Sequence, residues 1–239
     1  MKKLMILMLC IGFAMAVNAQ EETETIKQSA GDKNLELQFD PGAIFNASKG
    51  YNFLSNGAGI RFRYFKSETI AYRLNVNINY SNTSTITQEA DDALNLLELK
   101  DKNSFLGITL SPGIEKHFAG TKRLSPYIGG QVSVGYRTST EKEEYQDVQE
   151  KYVYKTKNGN FGDGLNIGLA ALAGADFYFA PKLYLGVELS YGINYFKAAK
   201  TKITDSAPNT QDVESTIGNT NSLSFQPSAM GIFRLGFLF

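Results

Sequence analysis

Eight long stretches of this chain alternate apolar and polar residues with a period of two, and no other feature of the sequence restricts the fold as strongly. They are 35–45 (LELQFDPGAIF), 58–66 (AGIRFRYFK), 70–80 (IAYRLNVNINY), 105–118 (FLGITLSPGIEKHF), 125–137 (SPYIGGQVSVGYR), 165–179 (LNIGLAALAGADFYF), 183–196 (LYLGVELSYGINYF) and 223–239 (LSFQPSAMGIFRLGFLF). Successive side chains of a strand point to opposite sides. In 183–196, Leu183, Leu185, Val187, Leu189, Tyr191, Ile193 and Tyr195 therefore share one face, and Tyr184, Gly186, Glu188, Ser190, Gly192 and Asn194 share the other.

These stretches exceed the ~5 to 6 residues usual for soluble strands and match the ~9 to 11 that cross a bilayer at a tilt. A soluble sandwich also alternates, but it has no reason to repeat near-membrane length eight times. Short links at 67–69, 119–124 and 180–182 alternate with long ones at 46–57, 81–104, 138–164 and 197–222. That is the asymmetry of an outer-membrane barrel, with periplasmic turns on one side and extracellular loops on the other. In hydrocarbon only a closed ring satisfies every strand's backbone groups. The expected fold is all-β, an eight-stranded antiparallel up-and-down transmembrane β-barrel occupying residues 20–239, with both termini in the periplasm.

Lys2 and Lys3 precede an apolar run from Leu4 to Val17, and small side chains follow at Val17-Asn18-Ala19. Residues 1–19 thus read as a secretory signal peptide, too short for a spanning helix. Cys10 lies inside this run, and bulky Leu9 before it argues against a lipoprotein cleavage site. Over the 239 residues, 24 Lys+Arg balance 24 Asp+Glu, which gives no electrostatic reason to expect nucleic acid. With one Cys and one His, a zinc cluster or a site needing two imidazoles is excluded.

The face opposite the lipid collects Glu36, Asp40, Glu115, Asp176 and Glu188 against Arg61, Arg63, Arg73 and Arg234, with His117 among them. Inside a barrel such charges pair, and the arginine fork bonds carboxylates bidentately. Near-cancellation predicts a network that plugs the lumen. A narrow porin-like channel for small solutes is the alternative, because inward glycines and Asn75, Asn77, Asn79, Asn166 and Asn194 leave space for water. On the lipid face, Tyr80, Tyr136 and Tyr195 fall near one membrane surface. Phe62, Tyr64, Tyr72, Phe118, Phe177, Phe179, Phe237 and Phe239 fall near the other, forming two aromatic girdles.

The alternating segments, the four long loops and a last strand GIFRLGFLF ending in Phe239 resemble the small outer-membrane β-barrels of the OmpA/OmpX-like superfamily. GIRFRYF (59–65) and IAYRLNVNINY (70–80) look especially like the porin-like barrel proteins of Bacteroidetes. The resemblance covers 35–239 and implies a bacterial outer-membrane protein; the sequence departs from longer relatives in showing no peptidoglycan-binding domain after the barrel, so tethering to the cell wall is not expected. It also implies that the barrel-assembly machinery reads the last strand, a role that falls on Phe237 and Phe239.

Partners expected on this reading are outer-membrane lipid, lipopolysaccharide and an extracellular protein met through the loops 81–104 and 138–164. Within 81–104, either Thr87 caps a short helix bearing Leu94 and Leu97, or 94–99 extends the fourth strand outward. Residues 141–157 fit a hairpin rising above the membrane, and 201–222 read as a mobile polar loop. Acids at Asp91, Asp92, Asp101, Glu141, Glu143 and Glu144 lack the ligand spacing of a metal site, and no cofactor is expected. A lipid-modifying or proteolytic enzyme is the remaining alternative. It has only His117 as a base, and Ser111 on the same strand is about 20 Å from it at ~3.3 to 3.4 Å per residue. Only a cross-strand serine would reach the imidazole, so catalysis is not expected.

Overall fold

A computed structural model describes residues 26–39, 59–90, 96–146, 151–157, 163–206, 213–217 and 221–239. The signal peptide assigned to 1–19, Cys10, Asp40, Asp91, Asp92 and the loop 46–57 lie outside the described residues. The elements are β1 (Lys33–Phe39), β2 (Gly59–Ser67), β3 (Ile70–Ala90), β4 (Leu96–His117), β5 (Leu124–Gln146), β6 (Lys151–Lys157), β7 (Gly164–Ala180), β8 (Leu183–Ala198), β9 (Thr201–Ser206), β10 (Val213–Ile217) and β11 (Asn221–Leu238).

Eight of these close a ring. β1 pairs with β2, β2 with β3, β3 with β4, β4 with β5, β5 with β7, β7 with β8, β8 with β11 and β11 with β1, every pair antiparallel. At the seam, Lys33 and Phe239 exchange backbone hydrogen bonds of 2.9 and 2.8 Å, so the last residue joins the first strand. The alternation then acts as expected. Leu106, Ile108, Leu110, Val132, Val134, Leu185, Val187 and Leu189 stand exposed on the outer wall, while Arg61, Arg73, Glu115, Asp176 and Arg234 are buried within.

The girdle residues named above that carry side-chain descriptions are all on the outer wall, Phe237 half-buried and the rest exposed. On β3, Tyr72 and Tyr80 are eight positions apart, about 27 Å along a strand and about 20 Å along the axis at a tilt near 40°. That spans most of the apolar band, ~25 Å, expected of an outer-membrane barrel.

Three ring strands run far beyond this band. β3, β4 and β5 have 21, 22 and 23 residues, about twice what a bilayer requires. Their ends join the short strands β6, β9 and β10 in one sheet of order β10-β9-β6-β5-β4-β3 outside the ring. β5 forks to make this possible: Leu124–Arg137 pair with β7, whereas Thr140–Gln146 pair with β6. The hairpin expected in 141–157 is therefore present. Of the two readings of 81–104, the strand holds, since Thr87 pairs with Leu99 and Ala90 with Leu96.

One expectation is corrected. Within 201–222, read as a loop, β9 and β10 pair with one another from Thr201↔Ile217 to Asp205↔Val213. These strands lie outside the ring of eight, beyond the part of the sheet on which hydrocarbon imposes an apolar period, so alternation is silent there. The signal that remains is β-propensity, carried by Thr201, Ile203, Thr204, Val213, Thr216 and Ile217.

At the opposite end, where the links are short, residues 26–32 cross the mouth of the ring. Gly31 donates to the Phe65 carbonyl at 2.8 Å, Phe65 donates to the Asp32 carbonyl at 2.9 Å, and Lys182 donates to the Ile26 carbonyl at 3.2 Å. Ile26 packs beneath an apolar cluster of Phe65, Ala71, Tyr178, Tyr184 and Leu238 that floors the lumen.

Candidate functional site

The centre of the barrel is a set of charges that period-two geometry forces inward. β2 supplies Arg61 and Arg63, β3 Arg73 and β11 Arg234. β1 supplies Glu36, β4 Glu115, β7 Asp176 and β8 Glu188. In the described lumen four arginines thus meet four carboxylates; the fifth acid expected there, Asp40, is outside the described residues.

Arg61 grips Glu188 as a fork, with Nη1 to Oε2 and Nη2 to Oε1 both at 2.9 Å, and its Nε donates to Asn75 Oδ1 at 2.6 Å. Its Nη1 is also 3.1 Å from Glu36 Oε1, close enough for an ion pair but not aligned as a hydrogen bond. Arg63 donates to Glu115 at 2.9 Å, to Asp176 at 2.9 Å, to Glu36 at 3.1 Å and to the Tyr184 hydroxyl oxygen. Arg73 bridges Glu115 at 2.9 Å and Glu188 at 2.9 and 3.0 Å. Arg234 reaches Asp176 at 2.8 Å and Glu36 at 3.3 Å. Two tyrosines complete the network, Tyr127 donating to Glu188 and Tyr184 to Glu36, each at 2.5 Å.

Every one of these arginines faces at least two carboxylates, so no ion is left with a single partner. Removing paired ions from water is costly, and it is offset only where geometry is good and spare donors find acceptors. The bidentate fork and the tyrosine hydroxyls supply most of that here, while Arg73 Nε, Arg234 Nε and Glu36 Oε1 make no hydrogen bond with the described residues. Guanidinium planes also lie near rings, Arg63 at 5.1 Å from Tyr184 and Arg234 at 5.3 Å from Tyr127.

Neither tyrosine was assigned to the network from sequence, although both fall on the inward parity. The available signal was the residue opposite each: Tyr127 faces Gly174 and Tyr184 faces Gly236 across the strand pairs. A Cβ at Gly174 would meet Tyr127 Cζ and Oη at 2.5 Å, and one at Gly236 would run into the Tyr184 ring. Each glycine gives an aromatic ring room to lie flat across the neighbouring strand and carry its hydroxyl to the charges.

His117 joins the network from below. Its Nε2 is 3.1 Å from Glu115 Oε2 and its Nδ1 is 2.9 Å from Ser125 Oγ on β5. Sequence reasoning left a cross-strand serine open, and Ser125 is that residue. The three groups form a Ser-His-carboxylate row, but Ser125 is fully buried and also receives the Gln28 amide at 2.8 Å. Glu115 is held by Arg63 and Arg73 besides. The row joins the floor of the lumen to the segment that crosses it.

Above the charges the lining turns neutral. Asn75 donates to Gln131 at 3.1 Å, and Ser111 bonds Ser133 at 2.9 Å. A cavity of about 190 Å³ opens there, bounded by Gln131, Ser133, Ala170, Ser190, Gly192 and Asn194. Going down the axis, one meets a small polar cavity, a layer of eight interlocked charges, then an apolar floor covered by residues 26–32. Among the described residues no group of three or more His, Cys, Asp or Glu is placed to hold a metal ion.

Comparison with known proteins gives three findings. The family described as "Putative OmpA-OmpF-like porin family" matches residues 46–237. No curated protein matches the chain. Among solved structures, a major outer membrane protein from Thermus thermophilus aligns with 88% of this chain and 100% of its own, at 11% identity and a TM-score of 0.37.

Proposed function

The chain belongs to the OmpA-OmpF-like porin family of outer-membrane barrels, and we propose that it is a plugged member whose role is structural and surface-directed, conducting poorly and catalysing no reaction. The observation that carries this reading is the layer of four arginines and four carboxylates, buried and mutually paired across the lumen. Moving any one of them aside to let an ion pass strands its partners in a dry interior.

In this reading the short turns and both termini face the periplasm, residues 1–19 are removed on export, and Phe237 and Phe239 present the last strand to the assembly machinery. The outlying sheet stands outside the cell. Its β3 edge from Ser81 to Gln88 is exposed throughout, uncharged, and rich in Thr and Ser. The pairing of β3 with β2 stops at Asn77↔Gly59, so among the described residues this edge has no partner on that side. Natural edges are usually guarded by Lys, Pro or a bulge; this one has none of them. An extracellular protein adding a strand to it is the partner we propose for 81–104, with the β5–β6 hairpin of 138–164 beside it. The finer likeness to porin-like barrels of Bacteroidetes belongs to the same proposal.

Reconstitution in planar bilayers tests the central point: the plugged reading expects no large, stable openings, and reproducible solute-selective openings would replace it with the narrow channel. The second reading draws on the polar cavity of about 190 Å³, which is the outer half of such a path. The third, an enzyme, draws on the Ser125–His117–Glu115 row and requires that replacing His117 abolish lipid or peptide turnover.

A further inference from the structure

The short-turn end of the barrel is electrically one-sided. Lys33, Lys66, Lys116, Lys122 and Arg123 are all exposed there. Among the described residues of that end the acids are Asp32, which is paired with Lys182 at 3.3 Å, and Glu68 in the β2–β3 turn. The five exposed cations are gathered on one arc, along β1, β2, β4 and the β4–β5 turn. The strands that border this arc on either side, β7 and β11, carry Phe177, Phe179, Phe237 and Phe239 at their ends, with Arg123 donating to the Phe179 carbonyl at 3.2 Å and Lys33 paired with Phe239.

Three of the lysines lie on the lipid-facing side of their strands. Lys33 continues the face of Leu35, Lys66 that of Phe62 and Tyr64, and Lys116 that of Ile114, while the intervening Asn34, Arg63, Glu115 and His117 are buried. Each lysine is thus at the aromatic girdle, where a long alkyl stem follows the apolar wall and the ammonium reaches the headgroup level. Like charges crowded with few protein counter-ions repel, and a surface that keeps them is complemented by anions from outside.

We propose that this basic arc is a binding site for the phosphate groups of anionic glycerophospholipids in the leaflet next to the short turns. Assigning that leaflet to the periplasmic side rests on the orientation proposed above; the phosphate recognition does not. Lysines near an anionic surface are each worth on the order of a fivefold preference, and the effect falls within a Debye length.

The test uses the full folded chain in nanodiscs made from equal parts phosphatidylglycerol and phosphatidylcholine, with bound lipid released and counted after limited detergent stripping. The native protein is expected to retain phosphatidylglycerol several-fold over phosphatidylcholine, with the preference shrinking as salt is raised. The variant K33Q/K66Q/K116Q/K122Q is expected to lose the preference. A control with the same charge loss at the other end, K100Q/K102Q/K142Q/K197Q, is expected to keep it. Equal retention of the two lipids by the native chain, or equal loss in both variants, would overturn the proposal. So would, in a second set of discs made from equal parts phosphatidylglycerol and lipid A, stronger retention of lipid A by the native chain, abolished in the first variant. Discs expose both leaflets to the same lipid, so these outcomes are independent of the barrel's orientation, which protease access to the hairpins on intact cells decides separately.

Discussion

Arg61 on β2 and Glu188 on β8 meet as a two-pronged ion pair across the lumen, both contacts at 2.9 Å, although 127 residues separate them in sequence. Glu188 is also the acceptor for Arg73 and Tyr127. Replacing it by alanine leaves two guanidinium groups and a phenol short of a partner in a buried site. E188A is expected to destabilise the barrel by about 3 to 5 kcal/mol, whereas R61M/E188M, which removes both ions and keeps volume, is expected to cost clearly less. Urea titration in detergent or vesicles, read by the mobility shift between folded and unfolded bands, measures both. Equal losses would mean that the cost comes from Arg73 and Tyr127, which lose Glu188 in both variants, and not from stranding Arg61.

Passage through the ring depends on the same layer. The charge-balanced variant R63A/R73A/E115A/E188A removes two cations and two anions from the middle of the network and adds no net charge. Stable openings are expected in planar bilayers from this variant and none from the native protein. If the variant folds and stays silent, the obstruction is the floor of Phe65, Tyr178 and Tyr184 with residues 26–32 beneath, not the charges.

The ring and its inward ions were legible in the sequence because a membrane imposes one rule on every strand: apolar outward, polar inward. Arg61, Arg63, Arg73 and Arg234 follow directly from that parity, as do Glu36, Glu115, Asp176 and Glu188. Where the rule lapses, so did the reading. β9 and β10 stand outside hydrocarbon and show no apolar period, and the strands β3, β4 and β5 continue into water where alternation no longer marks their ends. Tyr127, Tyr184 and Ser125 share the inward parity, but which acid or imidazole each meets is a matter of register between strands far apart in the chain. Parity assigns a face; it does not assign a height.

Ser125 separates a structural row from a catalytic one. It accepts the Gln28 amide at 2.8 Å and bonds His117 Nδ1 at 2.9 Å, with no exposed surface of its own. S125A removes the partner of His117 Nδ1 and one of the two acceptors of the Gln28 amide, which keeps the Glu68 carbonyl at 3.2 Å, and is expected to cost about 1 to 3 kcal/mol. A fluorophosphonate probe is expected to leave Ser125 unmodified in the folded barrel. Labelling at Ser125, lost on substituting His117, would instead mark an activated nucleophile and reopen the enzymatic reading.

The tyrosines that complete the network depend on glycines opposite them, and this can be tested without touching a charge. A Cβ at Gly174 would fall 2.5 Å from Tyr127 Cζ and Oη and 2.7 Å from the Val187 carbonyl; one at Gly236 would collide with Cζ, Cε1 and Oη of Tyr184. At Gly130, by contrast, the nearest atom is the Ala170 carbonyl oxygen at 3.7 Å, an ordinary contact. G174A and G236A are therefore expected to destabilise by about 1 to 3 kcal/mol or more through overpacking, and G130A to change little. If the loss at Gly236 comes from displacing Tyr184, it should shrink when the ring is removed, so G236A added to Y184A is expected to cost much less than G236A alone. Full additivity in that cycle would show that the glycine serves the backbone of β11 and not the tyrosine, and would detach the ring's placement from the charge layer it supports.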